Sequence, residues 1–266
     1  MTGRLTPLKR FGQNFLVDKN ILKKILSAVH FSPGDALLEI GPGDGALTLA
    51  LASKAHYLLA VEIDRGRFQE LSKKISHWKN IDIRQGDFLK FDVASAARRQ
   101  KVGSFVVVAN IPYYITTPIL EHLFHHIGLI KDIYLTVQKE VAQRFIAKPG
   151  TKAYGSLSCF VQYFTKPEAL FLIKAGSFWP VPKVDSYFVR LTPYGLNNKP
   201  WLVKSEKRLF EVMRASFGQR RKTLASSLAR LAGKDALEKI APKDLLFRRP
   251  ETLSLADFAV VANQLT

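Results

Sequence analysis

At 266 residues, 47% hydrophobic and 11% aromatic, the chain can bury a substantial core and suits one large domain with a smaller one. Lys and Arg number 40 against 22 Asp and Glu, and the resulting formal charge of +18 points to a polyanionic partner, nucleic acid ahead of an anionic membrane. The single cysteine, Cys159, excludes an intrachain disulfide and a thiolate metal cluster, and no apolar run approaches the ~20 residues of a membrane span, so a soluble cytoplasmic protein is expected.

After a basic lead segment without a signal-type apolar run, "DKNILKKILSAVHF" places Ile21, Leu22, Ile25, Leu26 and Val29 at helical spacing, with Asp18 as N-cap. Short apolar runs then alternate with longer amphipathic ones: "ALLEI" at 36–40, "YLLAVEI" at 57–63, "IDI" at 81–83, "FVVVAN" at 105–110 and "DIYLTVQ" at 132–138. This is the rhythm of a parallel sheet covered on both faces. "EALFLI" at 168–173 and "SYFVRLTPY" at 186–194 read as an antiparallel pair closing one edge. "TPYGLNNKPW" reads as a linker, and from Ser205 the pattern is helical, with Leu209, Phe210, Val212, Met213 and Phe217, then Leu224, Leu228 and Leu231. The expectation is an α/β Rossmann-like domain over 1–198, mostly parallel with an antiparallel edge, and a small all-helical domain over 199–266.

The loops after the strands carry the candidate chemistry. "LLEIGPGDGALT" puts a glycine-rich turn between strand and helix, where backbone can approach a ligand closely, and Gly41, Gly43 and Ala46 also satisfy the loose dinucleotide pattern. Glu62 ends the second strand, seventeen positions after Gly45, near the offset at which an acid holds ribose hydroxyls. Asp87 follows the third strand in "RQGDFL" and suits an exocyclic adenine amine. The fourth strand breaks into Asn110-Ile111-Pro112-Tyr113. Because proline fixes φ and lacks an N–H, the backbone leaves the ladder and carbonyls are freed. An adenine amine could donate to the Asn110 side-chain oxygen and the Ile111 carbonyl while its ring stacks on Tyr113. Those bonds localise the nitrogen lone pair and make the amine a nucleophile.

With these pieces in hand, the chain resembles the ribosomal RNA adenine N6,N6-dimethyltransferase family, most of all its bacterial small-subunit branch. The matching motifs are "KRFGQNFL" at 9–16, "EIGPGDGALT" at 39–48, "VEID" at 61–64, "NIPY" at 110–113, "QKEVAQRF" at 138–145, "KAYGSLS" at 152–158, "FWPVPKVDS" at 178–186 and "FGQRRKTL" at 217–224, in family order over nearly the whole chain. The resemblance implies S-adenosylmethionine as cofactor and dimethylation of two adjacent adenosines near the 3′ end of small-subunit ribosomal RNA, during ribosome biogenesis. It implies a cofactor site of Asn14, Leu16, Gly41, Glu62, Asp87 and Asn110, with Gln13 and Gly43 beside them. The target adenine would be held by Asn110, Ile111, Pro112 and Tyr113, with Phe178 on its other face. The family usually has Asn after Asn-X-Pro-Tyr, where this chain has Tyr114. Two alternatives stand beside this reading: the large-subunit adenine methyltransferases of the macrolide-resistance type, which share "FGQNF" and "NIPY", and a ribosome-assembly factor with secondary catalysis. The "FWPVPKVDS" and "FGQRRKTL" segments favour the small-subunit target.

Basic residues crowd the start of the helical region. Arg214, Arg220, Arg221 and Lys222 are candidates for RNA phosphates, with Lys9 and Arg10 at the other end of the chain. His122, His125 and His126 share a helix face, but no carboxylate or cysteine completes a ligand set, so no metal is expected. A monomer acting on RNA or a pre-ribosomal particle, away from membranes, completes the expectation.

Overall fold

The computed structural model describes residues 12–195, 198–219, 222–240 and 242–265. These residues divide into two compact units, one formed by those up to 142 with 168–193 and the other by 143–167 with those from 194 onward.

In the first unit, β1 (Phe15–Leu16) leads into α1 (Lys19–Ala28), whose first turn is capped by Asp18 accepting from the Asn20 and Ile21 amides at 2.8 and 3.2 Å. Strand and helix then alternate: β2 (Ala36–Ile40), α2 (Ala46–Ala52), β3 (Tyr57–Glu62), α3 (Arg65–Lys74), β4 (Ile81–Gln85), α4 (Val93–Gln100), β5 (Phe105–Asn110), α5 (Thr116–His125) and β6 (Ile130–Gln138). α6 (Lys139–Phe145) and α7 (Ser156–Phe164) precede β7 (Thr165–Ile173), a two-residue β8 (Phe178–Trp179) and β9 (Ser186–Pro193).

The main sheet has seven strands in the order β4-β3-β2-β5-β6-β9-β7. β2 pairs in parallel with both β3 and β5, β4 extends one side and β6 the other, and β9 runs antiparallel to β6. The chain therefore winds outward from β2 in one direction and then in the other. The carboxyl ends of β2 and β5 form the switch point, where open α/β sheets leave a crevice for ligands. The central strands are apolar runs because both faces are covered: every residue of β2 is buried, as are Phe105 to Ala109 of β5. One side of the sheet packs Leu37, Val106, Val108, Tyr134 and Phe188 against Ile25, Val29 and Leu51 of the flanking helices. β1 and β8 form a separate antiparallel ladder, Phe15 opposite Trp179 and Leu16 opposite Phe178.

The second unit is helical: α7 is joined by α8 (Glu206–Phe217), α9 (Leu224–Ala232), α10 (Lys234–Glu238), α11 (Asp244–Phe247) and α12 (Leu255–Gln264). Ser205 caps α8 and Ser254 caps α12 in a reciprocal box with Asp257. The buried Tyr154 hydroxyl donates to the Leu253 carbonyl at 2.9 Å, and Tyr163 donates to Glu206 at 2.8 Å. Segment 143–167 thus belongs with the helices after residue 194, although the sequence pattern places it inside the α/β region.

Candidate active site

At the switch point, Ile40 lies opposite Ala109, so the glycine turn after β2 and Asn110 at the end of β5 open onto one cavity. Its wall includes Gln13, Asn14, Leu16, Gly41, Gly43, Glu62, Asp87, Asn110, Ile111, Pro112 and Tyr113, which brings together residues spread over a hundred positions of sequence.

The turn after β2 is held by an acid. Glu62, 3% exposed, accepts the Gly43 amide at 2.9 Å and the Asp64 amide at 2.8 Å. Desolvation raises its pKa above the usual carboxylate range, against the opposing pull of those two backbone bonds. Asp64 caps α3 through the Gly66 and Arg67 amides and also accepts from the Gln13 side chain at 3.3 Å. Gly43 has φ +57, and a Cβ there would meet the Phe15 ring at 2.8 Å, so only glycine lets the N-terminal segment lie down on the turn. The Phe15 ring is covered in turn by the Arg67 guanidinium, 3.8 Å from its centroid; Arg67 is 1% exposed and paired with Asp44 of the same turn. Asp87 accepts the Leu89 amide at 3.0 Å and so fixes the turn after β4.

The second half of the cavity is the Asn-Ile-Pro-Tyr turn. Asn110 Nδ2 donates to the Asn14 carbonyl at 2.9 Å, which uses one of its two N–H groups, orients the amide and leaves its oxygen as an acceptor. Pro112 sits at φ −59 and ψ 134, and the chain then turns through Tyr113 into α5. The Tyr113 hydroxyl is fixed by Ser186 Oγ at 2.7 Å, and Thr116 Oγ1 donates to the Tyr113 carbonyl at 3.1 Å. Burial raises the Tyr113 pKa, so the phenol stays neutral.

Phe178 is not brought to this wall. In the β1–β8 ladder successive side chains point to opposite faces, and Phe178 turns inward to join the core at 2% exposure while Trp179 turns outward at 41%. Lys9, Arg10, Arg220 and Arg221 lie outside the described residues. Arg214 is exposed in the last turn of α8, and Lys222 is exposed where the chain turns toward α9. His122 Nε2 meets the Phe91 carbonyl at 2.9 Å, and the His122 and His125 rings each stand edge-on to His126 at 5.1 Å. Among the described residues no group of three His, Cys, Asp or Glu is placed to hold a metal. No helix among them is long and apolar enough to cross a membrane.

Two site residues escape sequence reasoning. Glu39, buried in β2 between Ala60 and Val108, lines the cavity at 2% exposure, and its Oε2 has no hydrogen-bond partner. Desolvation pushes its pKa up to about 8, with the Thr48 hydroxyl offsetting part of this and the Glu62 charge adding to it. An acid inside an otherwise apolar strand was the available signal. Arg67 gives no such signal, because its role depends on Phe15, fifty-two positions away.

The lining suits a nucleoside: acids at the end of β3 and after β4 that can accept from hydroxyl and amine groups, and Gly41, where the space a Cβ would enter is open at φ +68. Fold and site together are those of an α/β protein with a ligand cavity at the switch point of its parallel sheet, the arrangement of nucleotide-cofactor enzymes.

The comparisons with known proteins narrow that class. The profile of the ribosomal RNA adenine dimethylase family matches residues 6–259. A "Ribosomal RNA small subunit methyltransferase A" of Acinetobacter baylyi is 42% identical over 257 residues, covering 97% of this chain and 92% of the relative. The protein so named in Pseudomonas aeruginosa is 43% identical, covering 97% and 94%. Among solved structures, a dimethyladenosine transferase from Plasmodium falciparum superposes with a TM-score of 0.77 at 28% identity, covering 92% of this chain and 95% of that one. The 23S rRNA methyltransferase ErmE superposes at 0.71 but with 24% identity, a likeness of fold alone. The chain belongs to the ribosomal RNA adenine dimethylase family. It is an S-adenosylmethionine-dependent methyltransferase.

Proposed function

We propose that the chain dimethylates N6 of two adjacent adenosines near the 3′ end of small-subunit ribosomal RNA, in the cytoplasm and during ribosome biogenesis. The observation that carries the reading is Asn110: its side-chain amide is oriented by donation to the Asn14 carbonyl, and its oxygen remains to accept an N–H where β5 opens onto the cavity. Relatives at 42–43% identity over nearly the full chain carry the small-subunit name, whereas the large-subunit enzyme resembles the chain in fold alone.

In this reading Glu62 and Asp87 hold the nucleoside part of S-adenosylmethionine, and Gly41 and Gly43 let the backbone come close to it. The cofactor supplies an electrophilic methyl on a sulfonium, transferred by in-line displacement. Asn110 and the Ile111 carbonyl accept the two amine protons of the target adenine, keeping the nitrogen lone pair out of the ring and aimed across the cavity. Tyr113, locked by Ser186, offers the base a ring face. The displaced proton passes from the amine to solvent, so positioning and desolvation supply most of the rate and no strong base is required. The helical unit, with Arg214 and Lys222 exposed and Arg220 and Arg221 nearby in sequence, binds RNA phosphates. Mass spectrometry of small-subunit RNA from cells with and without the gene tests the assignment: loss of dimethyladenosine from that RNA is expected, and an unchanged small-subunit RNA would overturn it.

A further inference from the structure

Asp87 stands at the end of an edge strand. β4 pairs with β3 on one side only, and Arg84 and Gln85, just before the turn, are exposed. Backbone bonds therefore fix the strand end from one direction, the last of them from the Gly86 amide to the Glu62 carbonyl at 2.8 Å. The chain then makes a single tight turn, Phe88–Lys90, closed by the Lys90 and Phe91 amides on the Asp87 and Phe88 carbonyls at 3.0 Å each. Asp87 Oδ1 accepts the Leu89 amide inside this turn, which leaves Oδ2 to accept from a ligand. A turn that holds only itself can still move as a body, and its carboxylate moves with it.

The outer support comes from α5. His122 Nε2 donates to the Phe91 carbonyl at 2.9 Å, beside the Val93 amide that the same oxygen accepts at 3.1 Å. The His122 ring packs on Phe88 at 5.1 Å and 81° and on His126 at 5.1 Å and 76°, so its plane is fixed by two neighbours. Phe88, 5% exposed, follows Asp87 directly and is itself part of the cavity wall. Ile119, three residues before His122 and on the same helix face, lines the cavity too. The face of α5 that closes the cavity therefore also grips the turn. A histidine near a helix end commonly serves the helix by donating to its last free carbonyls. Here Nε2 instead reaches thirty-one positions back to a different loop.

We propose that His122 is a positioning residue for the nucleoside subsite: by tying the Phe91 carbonyl to α5 it holds the Asp87 carboxylate where the exocyclic amine of the cofactor's adenine donates to it, a role that rests on the reading of Asp87 as the adenine acceptor. Loosening the turn then removes from a ligand only what Asp87 supplies. It erodes the preference for adenine over a base without that amine and spares the proposed ribose acceptor, Glu62, which is held by the Gly43 and Asp64 amides.

Calorimetry on the full chain with two thioethers tests this: S-adenosylhomocysteine, and its analogue with hypoxanthine in place of adenine, whose 6-oxo group cannot donate. Wild type should prefer the adenine ligand by roughly 10- to 150-fold, the value of one hydrogen bond to a charged acceptor. Asp87→Ala should abolish the preference. His122→Phe keeps a ring against Phe88 without an N–H, and His122→Asn is polar but too short to reach. Each should lower the preference at least about fivefold, with affinity for the hypoxanthine ligand within about twofold of wild type. His122→Gln, whose amide nitrogen has the reach of Nε2, should keep it; if the Phe variant does not fold, Asn against Gln decides. In an Asp87→Ala background, replacing His122 should change neither affinity. Equal losses for both ligands with the preference intact, or a preference that Gln fails to keep, would make His122 a packing residue and overturn the proposal. A preference that survives the Phe and Asn variants but not Asp87→Ala keeps Asp87 and removes His122 alone. Wild type binding the two ligands alike would remove Asp87 as the adenine acceptor, and the positioning role with it.

Discussion

Replacing Glu39 by Gln should make the protein's stability less dependent on pH, with a sign fixed by where the carboxyl sits. The group is buried in the middle of the sheet, its Oε2 is unpartnered, and burial pushes its pKa up to about 8 from 4.5. Between those values the unfolded chain has released the proton and the folded protein keeps it. Stability contributed by this proton is therefore fully present below the unfolded pKa and falls by about 1.4 kcal/mol for each pH unit until the folded pKa is passed. From about pH 5 to about pH 7.5 Glu39 alone removes roughly 3 kcal/mol, whereas glutamine at this position removes nothing over the same interval. The fixed cost of burying an amide is the same at both pH values and cancels in the comparison. Glu62 is shifted in the same direction, so the wild-type slope exceeds the share of Glu39, and the difference between the two proteins reports that share together with its coupling to Glu62. Equilibrium urea unfolding of both proteins without cofactor, at the two pH values, measures it. Glu39→Gln should gain about 2–3 kcal/mol on wild type between the lower and the higher pH. A difference that stays constant within about 0.5 kcal/mol would refute the buried, protonated carboxyl.

Asn110→Ala should lower the single-turnover methylation rate by roughly 10²–10³ with both ligands saturating, the value of one positioned transition-state hydrogen bond; a rate within about threefold of wild type would make the turn a wall of the pocket and nothing more. Glu62→Ala, which removes the acceptor for the Gly43 and Asp64 amides as well as the proposed ribose acceptor, should weaken S-adenosylmethionine by roughly 1.5–3 kcal/mol in calorimetry. Phe15→Ala and Arg67→Met should not be additive: a double-mutant cycle on folding stability should return a coupling of about 2 kcal/mol for a guanidinium stacked on a ring away from water, and a coupling near zero would separate the two side chains. Arg214→Ala combined with Lys222→Ala should flatten the slope of log K for RNA against log salt by about 1.4, with cofactor affinity unchanged.

The parallel sheet was legible because strands buried on both faces must be continuous apolar runs, and "FVVVAN" and "ALLEI" can hardly be anything else. Asp18 was legible as a cap because capping is local, settled within three residues. The strand ends were less so: β4 extends to Gln85 through residues that are partly or fully exposed, and β6 begins at Ile130, before the apolar run declares itself. Long-range relations were harder still. Nothing local in "FW" says which aromatic turns inward; the two-residue pairing with Phe15 and Leu16 decides it, and it sends Phe178 into the core. Segment 143–167 joins the helical unit through bonds such as Tyr154 to Leu253, ninety-nine residues on, which no periodicity encodes. The resemblance to a family named most of the cavity residues together; Glu39 left one local signal, an acid in an apolar strand, whereas Arg67 emerges only from the Phe15 ring it covers.

That surrounding also explains why the N-terminal segment and the two loops must form as one piece. Gln13 bonds to Asp64, Asn14 to Asn110, and Phe15 fills the space above Gly43 under Arg67, so four successive residues from Gln13 to Leu16 touch the loops after β2, β3 and β5 and the β8 ladder. Each contact alone is modest: a part-buried side-chain bond at 3.3 Å or a single backbone acceptor contributes on the order of 1 kcal/mol. Their value lies in being simultaneous. On the proposed reading Asn110 aims its amide oxygen at the substrate while its nitrogen donates to the Asn14 carbonyl, and the next residue, Phe15, is seated over Gly43, where a Cβ would clash. The four residues from Gln13 to Leu16 therefore tie the strand-end loops to the β8 ladder, and on the proposed reading they set the gap between the amine that is methylated and the loop that holds the methyl donor.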